Sequence, residues 1–130
     1  MSCPRANIDL TACEGATFDE PFIWLTGEDP EVEVDLTNYE GVCHIREKVT
    51  SEEIVFTLAN GTGVVIADQV TDPGKYSLYI SAEDMEGACP NHKTRNLVYD
   101  LRLTSPDGVV RLQQYGTFTI EPAVTRPWIL

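Results

Sequence analysis

The chain has 130 residues, the size of one domain, and such a length buries roughly two-thirds of its unfolded surface without a covalent staple. Its 21 acidic and 9 basic side chains leave a net charge of −12, which argues against direct nucleic-acid binding, because phosphate contacts need a basic face. MSCPRANIDL at the start lacks an apolar signal core and no segment reaches membrane-spanning length, so the expectation is a soluble protein, not bound to a membrane, that stays where it is made.

The first element is a short alternation over residues 6 to 12, with Ile8, Leu10 and Ala12 against Asp9 and Thr11, turned by Glu14 and Gly15. A second strand is expected over residues 17 to 25, TFDEPFIWL, with Phe18, Phe22 and Trp24 on one face. Pro21 lacks an N–H, which assigns this strand to an edge or a bulge. Gly27 to Asp35 is an acidic connector. A third strand is expected over residues 41 to 49, where Cys43, Ile45 and Val49 alternate with His44, Arg46 and Lys48.

EIVFTL at 53 to 58 is the fourth strand, with Ile54, Phe56 and Leu58 aligned. Asn60, Gly61, Thr62 and Gly63 signal a hairpin turn into a fifth strand at Val64 to Ala67. Asp72, Pro73 and Gly74 introduce Lys75 to Ile80, with Tyr76, Leu78 and Ile80 inward. Ser81 followed by Ala82, Glu83 and Asp84 has the form of one N-capped helical turn. After a polar loop comes the clearest pattern in the chain, a long hairpin over residues 96 to 121. Leu97, Tyr99, Leu101 and Leu103 face inward against Asp100, Arg102 and Thr104, and Ser105 to Gly108 make the turn. Val110, Leu112, Phe118 and Ile120 share the inner face of the return strand, Gly116 marks a bulge or bend, and the inner face reads as wholly apolar. Turns every 8 to 12 residues between short strands indicate an all-β sandwich or barrel in a single domain over residues 1 to 130.

Candidate chemistry is sparse. Glu28, Asp29, Glu31, Glu33 and Asp35 could converge on calcium as a calcium-dependent binding module, but no EF-hand spacing is present and alternating acids protect an exposed strand edge. Cys3, Cys13, Cys43 and Cys89 form no close pair and read as reduced, packed thiols; Cys89 with His92, or Cys43 with His44, has only half the ligands of a structural zinc site. No nucleophile motif or phosphate loop appears, so the chain is read as a non-enzyme without catalytic residues, metal or cofactor. Residues 122 to 130, PAVTRPWIL, form a C-terminal arm. Its Pro127, Trp128, Ile129 and Leu130 are the candidate partner-binding residues, since a run of large apolar side chains needs cover. Both cover by the chain's own sheet and docking into a neighbouring subunit remain open.

GATFDEPFIW, VDLTNYEGVCHIRE, NGTGVVI, DPGKYSLYISAEDM and the closing LVYDLRLTSPDGVVRLQQYGTFTIEPAVTR together resemble small structural proteins of tailed bacteriophages and prophages. They are also similar to N-terminal domains of phage upper-baseplate proteins, which attach receptor-binding parts to the tail. The resemblance spans nearly the whole chain, its closing segment being the distinctive part; the four cysteines and Trp128 to Leu130 lie outside it. It implies an immunoglobulin-like β-sandwich of about seven to eight antiparallel strands with one short helical turn. By the same resemblance the function is a non-enzymatic connector or adaptor in the tail, collar or baseplate, or alternatively a capsid decoration protein. Its partners would be other virion proteins and copies of itself, and its location the virion, with the host cytoplasm during assembly.

Overall fold

The computed structural model describes residues 6 to 26 and 30 to 129. Among the described residues the chain is all-β: nine strands form one mixed, strongly curled sheet, an open half-barrel. In chain order they are β1 (Ala6–Asn7), β2 (Leu10–Cys13), β3 (Phe18–Ile23), β4 (Glu40–Arg46), β5 (Phe56–Asn60), β6 (Gly63–Ile66), β7 (Lys75–Ile80), β8 (Arg95–Thr104) and β9 (Val110–Glu121). They pair in the order β1, β9, β8, β4, β5, β6, β7, β3, and β2 continues the line of β1 along β9.

Alternation decides which face is inside. Leu97, Tyr99, Leu101 and Leu103 of β8, Cys43 and Ile45 of β4, and Tyr76, Leu78 and Ile80 of β7 are buried, as their period of two demands. The curl brings the far ends of the strand order together, so that Phe18 of β3 meets Phe118 of β9 edge-to-face at 5.1 Å. Pro21 lies in β3 at the end of the order, where a missing donor leaves no ladder bond unmade.

The inner face is not wholly apolar. Gln114 of β9 is fully buried and accepts a 2.5 Å hydrogen bond from Tyr76 Oη. Its own amide donates to Tyr99 Oη at 3.0 Å, and Tyr99 donates to the Ile8 carbonyl at 2.6 Å. Every member of this chain has a partner, which is the condition for tolerating polar atoms in a core.

Several expectations are corrected. The sheet is mixed, not antiparallel, because β1 and β2 run parallel to β9 and two residue pairs of β5 and β6 are also parallel. Asn60 to Gly63 is therefore a tight loop that offsets the chain sideways, not a hairpin turn. Residues 82 to 87 are a run of turns that carries the expected cap, the Ser81 hydroxyl accepting the Asp84 N–H at 3.1 Å, and one helical bond from the Met85 N–H to the Ser81 carbonyl at 3.1 Å, without extending into a helix among the described residues. Val49 lies beyond the end of β4 and Ile54 before β5, and both are exposed. In β9 the register to β8 jumps from Gln114 opposite Leu101 to Leu112 opposite Arg102. This bulge at Gln113 reverses the parity of everything before it, so Val110 is exposed. Gly116 is no bulge; a Cβ there would collide with the Ile8 carbonyl, so glycine lets the first strand lie close.

Candidate functional site

The arm leaves the sheet after Glu121 and is tied at its root by a buried carboxylate. Glu14, only 4% exposed, accepts the Ala123 N–H on Oε1 at 3.0 Å and the Cys89 N–H on Oε2 at 2.9 Å. Two charge-assisted bonds to backbone donors offset part of the cost of burying this group. Further along, the half-buried Trp128 ring packs over Gly15, where any Cβ would collide with it. Gly15 also sits at φ 74°, so glycine is demanded there by backbone and by contact. Among the described residues, Trp128 Nε1 and Arg126 Nε are buried without an acceptor. The candidate partner residues thus divide: Trp128 turns onto its own domain, whereas Pro127 and Ile129 face outward and Leu130 lies outside the described residues. Val124 joins the outward set at 93% exposure.

The two buried thiols are not poised for chemistry. Burial pushes the Cys43 thiol up to about 12 and raises that of Cys89, so both are protonated near neutrality. Cys89 Sγ donates to the Ile120 carbonyl at 3.5 Å, and Cys13 is exposed and free. Cys43 and His44 are successive strand residues that point to opposite faces, and His92 meets Cys89 through a backbone bond, its N–H donating to the Cys89 carbonyl. Among the described residues no three His, Cys, Asp or Glu side chains converge as metal ligands. In the acidic connector Glu31, Glu33 and Asp35 are exposed, and Glu28 and Asp29 lie outside the described residues. The Asp35 carboxylate is held below its usual range by the Thr37 hydroxyl and N–H, which it accepts at 2.6 and 3.0 Å.

A groove of about 750 Å³ lies on the outer face of β9, β8 and β4, between β1 and the loop after β4. Sequence reasoning missed it. The pairing registers align Asn7, Tyr115, Asp100 and His44 in a single row across β1, β9, β8 and β4, and Thr57 continues that row onto β5. Arg46 and Arg102 flank the row. The Arg46 guanidinium is oriented by two 2.8 Å bonds to the Ser51 and Glu52 carbonyls and lies 3.4 Å from His44 Nδ1. Asp9 at the β1 side accepts the Thr117 N–H at 3.0 Å. The outward alternation of His44, Arg46, Asp100 and Arg102 was readable from period two, but their assembly into a row depends on inter-strand register.

A comparison with models of known families and with curated proteins finds no match for the chain.

Proposed function

We propose that the chain is a non-enzymatic building block of a tailed-bacteriophage particle, a connector or adaptor that docks neighbouring virion proteins through its C-terminal arm. The single observation that carries the reading is the arm's division of labour. Its root is anchored on Glu14 and its Trp128 on Gly15, while Val124 at 93% and Ile129 at 55% exposure remain uncovered beside Pro127. Apolar side chains held outward on an anchored segment suit an interface that is completed by a second molecule.

The motif resemblance over residues 15 to 126 supports the particle context, and strand order supports an immunoglobulin-like variant of the curled sheet. β9, β8, β4 and β5 follow one another as G, F, C and C′ do in variable-type domains, and β6, β7 and β3 follow as D, E and B. The protonated thiols favour a structural role over a nucleophilic one.

Truncation after Ala123 tests the reading, because it keeps the N–H that Glu14 accepts. The shortened chain should retain a cooperative melt and lose self-association in sedimentation, or incorporation into particles. Unchanged association would refute arm-mediated docking. So would an intact chain that is a plain monomer while the shortened one unfolds, since the arm would then be part of the core.

A further inference from the structure

We propose that the outer groove is a binding site for a neutral oligosaccharide, a site separate from the arm and independent of any role in a particle. Asn7, Tyr115, Asp100 and His44 form a row across four strands of the groove, and Thr57 extends its line on the same face beyond the groove. At the spacing of neighbouring strands the four groove residues span about 14 Å, an extended track rather than a point site. Charge then narrows the ligand. Arg46 and Arg102 are balanced by Asp9 and Asp100, so the groove offers no charged patch of its own to a polyion, and the chain's net charge of −12 repels a polyanion outright.

The side chains decide the remaining chemistry. Asparagine, tyrosine, threonine and histidine each offer both donor and acceptor capacity, while arginine only donates and ionised aspartate only accepts. Alternating donors and acceptors along a track match a ligand whose every hydroxyl does both, which is the pattern of linked pyranose rings. An apolar peptide would instead take the charged Arg102 and Asp100 side chains out of water with nothing in return. The half-buried Tyr115 ring, together with Val49 and Val98, adds apolar surface beside these polar groups, the combination that suits a sugar's mixed surface. The groove is also preformed. Its floor is β-sheet and Arg46 is pinned from behind by two carbonyls, so little ordering cost falls on binding.

The test is titration of the intact ¹⁵N-labelled chain with maltohexaose, cellohexaose, laminarihexaose and chitohexaose, followed by amide chemical shifts. At least one should perturb the amides of Tyr115, Asp100 and His44 and leave Leu78 and Ile80 of β7 unmoved. Asp100→Asn and, separately, Tyr115→Ala should each weaken that binding by about tenfold or more with the melting temperature retained. Should either variant unfold, Asn7→Ala at the exposed end of the row replaces it, with weaker binding again expected. Absence of shifts at the row with all four sugars overturns the proposal. Shifts mapping elsewhere, variants that bind like the parent, or tighter binding of a heparin or polylysine probe to the same row overturn it equally.

Discussion

Leu101 and Arg102 are adjacent in β8 and opposite in environment: Leu101 is fully buried between Cys43 and Gln114 in register, and Arg102 is exposed over the groove. Leu101→Ala should therefore cost about 2 to 5 kcal/mol, from lost transfer energy and the cavity left behind. Arg102→Ala should cost less than about 1 kcal/mol. Urea unfolding of the two variants checks this, and equal losses would place the register wrong by one residue. Burial of ionisable groups predicts a second effect. Cys43 is raised from 9.0 to about 12 and Tyr99 from 10.0 to about 12, in each case chiefly by desolvation. The folded chain keeps protons there that the unfolded chain releases, so their contribution is fully present below about pH 9 and is lost as pH climbs toward 12. The urea midpoint should fall between about pH 8 and pH 11, and Cys43→Ala should flatten part of that fall. A midpoint independent of pH over this window would contradict it.

Elements are joined here by polar atoms as well as by packing. The chain from Tyr76 through Gln114 and Tyr99 to the Ile8 carbonyl links β7, β9, β8 and the segment between β1 and β2 across the interior. Gln114→Leu keeps most of the volume but removes the acceptor of a buried phenol. Tyr76 is then left unpaired, at a cost of roughly 1 to 3 kcal/mol. Adding Tyr76→Phe removes the orphaned hydroxyl, so the double variant should be more stable than Gln114→Leu alone. Thermal or urea unfolding of the single and double variants measures the coupling. If Gln114→Leu is neutral by itself, the chain does not hold these strands together.

At the scale of the whole molecule the core is a single apolar cluster inside one curled sheet, and most of the acid lies outside it. Residues 1 to 53 hold 13 acidic and 3 basic side chains, yet the described carboxylates of the connector are solvent-facing and Asp35 is already satisfied by Thr37. Folding should therefore not depend on a metal ion: EDTA should leave the melting temperature unchanged, whereas a drop of several degrees would reveal a structural cation. Calcium added back after EDTA should likewise shift nothing.

Period-two alternation determined by itself that the protein is all-β, that Leu97 to Leu103 and Tyr76 to Ile80 face inward, and that Pro21 belongs to an edge, because those properties are local to a strand. The cap at Ser81 is local too: its hydroxyl accepts the Asp84 N–H and its carbonyl the Met85 N–H, one turn's worth of bonds that residues 82 to 87 do not extend into a helix. The tertiary structure alone decided the parallel pairing of β1 and β2 with β9, the bulge at Gln113 that exposes Val110, and the seat of Trp128 on Gly15. It also decided the row of Asn7, Tyr115, Asp100 and His44 across the groove. Each of these joins residues far apart in the chain. Their relation depends on which strand lies beside which and in what register, a choice made by packing the whole core rather than by any short stretch of sequence.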